Sequence, residues 1–420
     1  MAEVPSDNRL LQKIVLSNVL SFGPGAEELE LESLNVLIGA NGAGKSNLIE
    51  AIAFMRAAPS DMRAVIRRGG GAAEWVWKGE KGACASIELV LNYPGGKLPL
   101  RHSLSFCADG QGFRLEDESI GDEGTKGDMQ EPYSYYLFRQ GHPVVNMVVN
   151  AEEADSQHIR ETNGSGHYSK PVQERKQRQL EREKINPELS ILAQRRDPEH
   201  YPEISYLAGA YEDIRIYRDW TFGRNTIFRE PQRADMRNDR LEEDFSNLGL
   251  FLNRLRRTPT AKNAILEGLR DLYEGISDFD ISIEGGTVQV FLTEGDFTIP
   301  ATRLSDGTLR YLCLLAILCD PQPPALLCIE EPELGLHPDI LPKLADHLVA
   351  ASQRTQLIIT THSDILVDAM TEHPEAVVVC EKHNRQTEMR RLERKDLAVW
   401  IERYRLGQLW TKGQLGGTRW

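Results

Sequence analysis

The octapeptide Gly39-Ala40-Asn41-Gly42-Ala43-Gly44-Lys45-Ser46 constrains the fold of this chain more than any other stretch. An apolar run, residues 34–38, precedes it, and an amphipathic run, residues 47–56, follows. The order is therefore strand, glycine-rich loop, helix, the setting in which G-x-x-x-x-G-K-[ST] carries a mechanism. Glycines let successive backbone N–H groups converge on a phosphate with no Cβ in the way, and the helix N-terminus adds partial positive charge. Gly39, Asn41, Gly42, Ala43, Gly44, Lys45, Ser46 and Asn47 are thus candidates to cradle a nucleotide, with Lys45 bridging the β- and γ-phosphates and Ser46 ligating Mg²⁺. The plainer reading, a glycine turn before a helix, is weakened by the flanking elements.

A second constellation lies far along the chain. The run Arg303-Leu304-Ser305-Asp306-Gly307-Thr308 leads into an apolar helix at 309–318, a proline-rich turn at 320–324 and a short apolar strand at 325–329. That strand delivers Glu330 and Glu331 to its carboxyl end, where ligands sit in open α/β sheets. Adjacent carboxylates are usually a solvated pair, but these close a hydrophobic strand and precede Pro332. Glu330 is then placed to hold Mg²⁺ through water, and Glu331 to orient or deprotonate an attacking water. One strand-helix-strand unit later, the β-branched run 356–361 ends at His362, a candidate polar sensor of the γ-phosphate.

Together these segments resemble the ATP-binding-cassette ATPases of the RecF, SMC and OLD type, and within that group the AAA-type or RecF-like ATPases. Residues 39–46 match Walker A, 304–308 the signature loop, 325–331 Walker B and His362 the switch histidine, while Leu334-Gly335-Leu336-His337-Pro338 matches the D-loop. The resemblance implies an α/β P-loop NTPase of ABC-ATPase type, with a mixed central sheet, an antiparallel β subdomain and a helical insertion. It implies ATP and Mg²⁺ as cofactors, and a homodimer that closes around two ATP, in which Ser305 and Gly307 of one copy meet the nucleotide held by the other. Two positions depart from the wider pattern: the signature has Ser-Asp-Gly, and the metal carboxylate is Glu330 where Asp is usual. The implied role is an ATP-hydrolysing switch acting on DNA or on a separately encoded effector such as a nuclease, in DNA repair or antiviral defence. A transporter subunit or a non-hydrolysing scaffold are the alternatives. Residues 363–420 are too few for the Toprim nuclease domain of OLD relatives.

The organisation expected around the site runs in four parts. Residues 1–60 form the N-terminal part of the ATPase lobe, 61–170 a β-rich part with loops, 171–279 a helical insertion and 280–420 the C-terminal part of the lobe. Within them, 84–108 and 133–150 alternate as antiparallel strands do, and Ile281 to Leu292 reads as a hairpin around Gly285-Gly286. Gln140 is a candidate Q-loop glutamine. The longest apolar run is too short to span a bilayer, and the start lacks the pattern of a signal peptide. No membrane partner is expected. The six cysteines show no C-x-x-C pair and read as reduced core residues of a cytoplasmic protein. A net charge of −14 opposes a uniformly basic nucleic-acid binder. Arg175, Lys176, Arg178, Arg182 and Lys184, and then Arg215, Arg218, Arg224, Arg229, Arg233, Arg237 and Arg240, could still make a local DNA-binding face, though interleaved acids favour a salt-bridged surface.

Overall fold

The computed structural model describes residues 8–417 except 81, 111, 126–130, 140–141, 150–173, 181–184, 187, 221–222 and 224–225. Its organising element is a six-stranded sheet in the order Arg215–Tyr217, Leu326–Glu330, Gln356–Thr360, Leu34–Ile38, Val377–His383, Gln386–Arg391. The first five strands are parallel and the last is antiparallel to its neighbour. Parallel sheets are covered on both faces, which is why the central strands Leu326–Glu330, Gln356–Thr360 and Leu34–Ile38 are mostly apolar and almost wholly buried. Successive side chains alternate between two cores. Leu37, Leu326, Cys328, Ile358, Val378 and Cys380 enter one; Val36, Leu327, Ile329, Leu357, Ile359, Val377 and Val379 enter the other. The register pairs Glu330 with Thr360 and Thr360 with Leu37, so the glycine loop, the acidic pair and His362 leave the sheet along one edge.

The first core lies between this sheet, the helix Lys45–Arg56 and an eight-stranded antiparallel sheet. That sheet runs Glu27–Glu30, Leu11–Ser17, Ala85–Leu91, Leu100–Asp109, Gly112–Asp122, Ser134–Arg139, His142–Val149, Glu174–Gln179. Phe54 anchors the helix to it, with ring centroids 5.4 Å from Trp75, 4.9 Å from Phe106 and 6.1 Å from Phe113. A buried polar clamp adds to the join: His102 Nδ1 lies 2.8 Å from the Tyr211 hydroxyl and its Nε2 3.2 Å from Glu118, whose other oxygen accepts the Ile191 N–H at 2.9 Å. The second core gathers helices Leu248–Leu255, Pro259–Leu272, Asp306–Leu318 and Leu341–Ser352 with the hairpin Ile276–Glu284/Thr287–Glu294. Gly285 and Gly286 turn that hairpin at φ +58° and +80°, the doubly positive pair a tight two-residue turn requires. Among the described residues no helix is long and apolar enough to cross a membrane.

Three expectations change. Glu174–Gln179, on which Arg175, Lys176 and Arg178 lie, is a strand paired antiparallel with His142–Val149 rather than a helix. Every residue in it is polar, so its own pattern selects neither period and the neighbouring strand decides. The stretch 171–279 is also not purely helical, because Arg215–Tyr217 forms the edge of the central sheet and Gln232–Arg233 pairs with Thr287–Glu294. Lastly, Cys84 and Cys107 form a disulfide, with Cα atoms 4.4 Å apart. Pairing of Ala85 with Phe106 sets Cys84, just before its strand, opposite Cys107 on the neighbouring one, a relation that only the register creates. Cys313, Cys319, Cys328 and Cys380 are buried free thiols, as expected. Gln140, Arg182, Lys184 and Arg224 lie outside the described residues.

Candidate functional site

The glycine loop closes tightly on itself before the helix begins. Ala43 N–H donates to Ala40 O at 3.1 Å, and Gly44 turns at φ +101°. A Cβ on Gly44 would stand 2.1 Å from Thr387 Oγ1, and one on Gly39 would stand 2.3 Å from Cys380 O, so both positions exclude a side chain by close approach as well as by backbone angle. Lys45 is 5% exposed, and its ammonium donates to Gly39 O at 2.8 Å and Ala40 O at 3.3 Å, folding the side chain back over the loop it follows. Burial lowers its pKa, against the raising influence of Cys380, Glu331, Glu333 and Glu330. Asn41 and Gly42 are exposed. Asn47 differs from its neighbours: its amide donates to Ser21 Oγ at 2.7 Å.

The acidic pair meets the loop directly. Ser46 Oγ donates to Glu330 Oε2 at 3.1 Å, and burial raises the Glu330 carboxyl above its ordinary range while that hydrogen bond opposes the shift. Glu331 has φ +45°, a region few non-glycine residues adopt, and its N–H reaches Thr360 O at 3.0 Å. Its Oε1 lies 3.7 Å from His362 Nε2. Burial lowers the His362 pKa, as does the Lys45 ammonium, so the ring is held towards its neutral form. Lys45, Ser46, Glu330, Glu331 and His362 therefore converge. Among the described residues no group of three or more His, Cys, Asp or Glu could hold a metal alone. One carboxylate beside one hydroxyl fits Mg²⁺, which takes its remaining oxygens from phosphate and water.

Ser305 and Gly307 find their contacts outside that cluster, with Thr308 and with Gly335. Ser305 is exposed and caps the helix Asp306–Leu318, accepting the Thr308 N–H at 3.0 Å. Gly307 packs against the following turn, since a Cβ there would meet Gly335 O at 3.0 Å. Arg229 fixes this loop from behind: its guanidinium donates to Leu304 O at 2.6 Å and to Ala301 O and Thr302 O at 3.3 Å, and pairs with Asp306. In sequence Arg229 reads as one member of a basic run. Its neighbours in that run are likewise paired, Arg218 with Glu50, Arg233 with Asp235, Arg237 with Asp239 and Arg240 with Asp213.

Several residues were invisible to motif reading. Glu333 Oε1 accepts both the His362 N–H at 2.7 Å and the Thr361 hydroxyl at 2.8 Å, fixing the histidine backbone. Its only sequence signal is proximity to the acidic pair. Ser21 and Thr387 lie 2.6 Å apart through their hydroxyls, and Thr387 donates to Ala43 O at 3.0 Å, bracing the glycine loop from two remote segments. Trp220 donates its indole N–H to Glu330 O at 2.8 Å.

The chain matches a family model described as "AAA domain, putative AbiEii toxin, Type IV TA system" over residues 34–82 and 155–368. None of the curated proteins matches it. Among solved structures it is similar to an Smc head bound to the C-winged helix domain of ScpA, at 15% identity and a TM-score of 0.57, covering 92% of this chain and 99% of that one. It is similar as well to an Smc head with an extended coiled coil bound to the C-terminal domain of ScpA, derived from Pyrococcus furiosus, at 13% identity and 0.56, covering 94% and 98%. An Smc head with a coiled coil and joint derived from Pyrococcus yayanosii gives 13% and 0.50, covering 94% and 99%. At such identities the likeness is one of fold.

Proposed function

The chain belongs to this AAA-domain family, and on that premise we propose that it is an ATPase of the SMC and RecF-like ABC class, an ATP-hydrolysing switch whose two copies clasp two ATP between them. The observation that carries the proposal is the outward-facing Ser305 loop, whose polar partners are Thr308 and Arg229 rather than any group of the glycine loop. One copy thus supplies Lys45, Ser46, Glu330, Glu331 and His362, and Ser305 of the partner subunit and the N–H of the partner's Gly307 complete the γ-phosphate cage. Lys45 neutralises phosphate charge, Glu331 orients and deprotonates the attacking water, and neutral His362 accepts or donates a hydrogen bond at the γ-phosphate. Mg²⁺, held by Ser46 and Glu330, would supply charge neutralisation across the phosphates. Phosphoryl transfer asks mainly for positioning, so closing the dimer is what assembles the catalyst.

The output proposed is the making and breaking of that dimer, read by a separately encoded effector in defence or repair. The family description, a toxin of a toxin–antitoxin system, supports defence. Solved heads of this fold that carry a ScpA domain support a protein partner. DNA is the less supported target, because the net charge is −14 and most of the arginines of the central run are already paired with acids.

Light scattering after size exclusion tests the reading. Glu331→Gln is expected to run as a dimer with saturating ATP and a monomer without it; Lys45→Ala is expected to lose nucleotide binding, and Ser305→Arg to lose turnover. A Glu331→Gln protein that stays monomeric at saturating ATP, or a Ser305→Arg protein with wild-type phosphate release, would sink it. Equal, negligible release from wild type and Glu331→Gln would favour the scaffold.

A further inference from the structure

The helix Asp306–Leu318 carries the Ser305 loop at its start and Arg310 in its second turn, about 7.5 Å further along its axis at the usual rise per residue. Arg310 is 4% exposed. Its Nη2 donates to the main-chain O of Glu331 at 2.7 Å, and its guanidinium lies 4.3 Å from the centroid of the Trp220 ring. Trp220 in turn holds the main-chain O of Glu330 at 2.8 Å. The carbonyls of both site carboxylates are therefore each gripped by a side chain, and the two gripping side chains are stacked on one another. The grip falls on a residue with an uncommon backbone, Glu331 at φ +45°. Such a conformation persists only where its surroundings over-determine it. Burying a guanidinium is costly, and an apolar side chain could fill the space without that cost. Burial pushes the Arg310 pKa down to about 10, against the opposing influence of Glu333 and Glu331.

We propose that Arg310, seated on Trp220, is a positioning residue that couples the two nucleotide sites of the dimer. The inference rests on the reading under Proposed function. In it, the Ser305 loop touches the nucleotide held by the partner subunit, while Glu331 serves the nucleotide held by its own subunit. Any adjustment of the helix Asp306–Leu318 on meeting the partner's nucleotide moves Arg310 with it, because a helix shifts as a rigid element. That movement changes the carbonyl of Glu331 and with it the aim of its carboxylate. Occupancy of one site is thereby read at the catalytic carboxylate of the other, which is a coupling free energy between two distinct sites.

The test is phosphate release by the full chain across ATP concentrations, alongside direct binding of a nonhydrolysable ATP analogue. Wild type is expected to be sigmoidal, with a Hill coefficient approaching about 2. Arg310→Lys keeps the charge but not the planar fork or the stack. It is expected to become hyperbolic, with turnover down about ten-fold and analogue affinity within about two-fold of wild type, since only positioning is lost. Trp220→Phe, which keeps a ring beneath the guanidinium and removes the bond to Glu330, is expected to fall between the two, and it decides the matter if Arg310→Lys does not fold. A merely structural role would change melting temperature and leave the Hill coefficient alone. Folded variants with the wild-type Hill coefficient and turnover would overturn the coupling, as would a hyperbolic wild type whose Glu331→Gln form still dimerises with ATP. Failure of Glu331→Gln to dimerise would instead overturn the dimer reading, and the coupling with it.

Discussion

Glu330 and His362 sit in environments that resist charge. Burial is the first cause of both shifts, raising the pKa of Glu330 and lowering that of His362. For Glu330, the unfolded carboxyl ionises near its ordinary value of 4.5 while the folded one stays protonated to higher pH. The folded state then binds more protons, so stability falls as pH rises through that window. Glu330→Gln removes the effect, and urea titrations should show its stability advantage over wild type widening as pH rises from 4.5 and levelling off above the folded value. His362 works the other way. As pH falls below 6.5 its unfolded imidazole takes up a proton before the folded one, so the advantage of His362→Gln should widen with acidification. Gaps that stay constant over pH would contradict both assignments. At this scale the motif residues were legible because each sits in a short local pattern, a glycine loop between strand and helix or a polar group closing an apolar strand. Trp220, Thr387 and the true partners of Arg229 were not, because each is joined to the site by tertiary register from a distant segment, and Glu333 was not because its partners, Thr361 and His362, lie on another strand end.

Among elements, the helix Lys45–Arg56 shows how packing serves the site. Its N-terminus keeps its place at the end of the glycine loop while Phe54 stays wedged among Trp75, Phe106 and Phe113. Phe54→Ala should cost about 3–5 kcal/mol in denaturant unfolding without nucleotide, as large-to-small core changes do. A loss under about 1 kcal/mol would mean that the helix is seated by other contacts. This helix, the hairpin at Gly285-Gly286 and the central apolar strands could be read from periodicity, whereas Glu174–Gln179 could not, since its polar residues carry no period. The disulfide between Cys84 and Cys107 was illegible for the same reason that it forms, namely a strand pairing that sequence spacing does not encode. Unfolded, unreduced protein should titrate four of its six cysteines as thiols. Replacing both Cys84 and Cys107 with Ser should lower stability by about 3 kcal/mol, the loop-closure contribution for a separation of 23 residues.

Over the whole molecule, the carboxyl-terminal segment returns to the centre. Leu406, Leu409, Trp410 and Leu415 are buried in the second core, and Gly417 donates its N–H to Glu381 at 2.9 Å. A Cβ at Gly417 would lie 3.3 Å from the Cα of Gly39, so the segment lies against the base of the glycine loop. A chain ending at residue 405 forgoes four buried apolar side chains worth roughly 1.5–3 kcal/mol each, an amount comparable with the stability of an entire domain. It should therefore be recovered unfolded by circular dichroism, and a folded, nucleotide-binding product would refute that account. The separation of Ser305 from Lys45 within one polypeptide has a genetic corollary. If two copies clasp ATP as proposed, a Lys45→Ala chain and a Ser305→Arg chain, each inert by itself, should restore one another when mixed, because a hybrid pair would contain one intact pocket and one doubly damaged one. With random assortment the ceiling is roughly a quarter of normal turnover, reached only if that lone pocket can fire without help from its sibling.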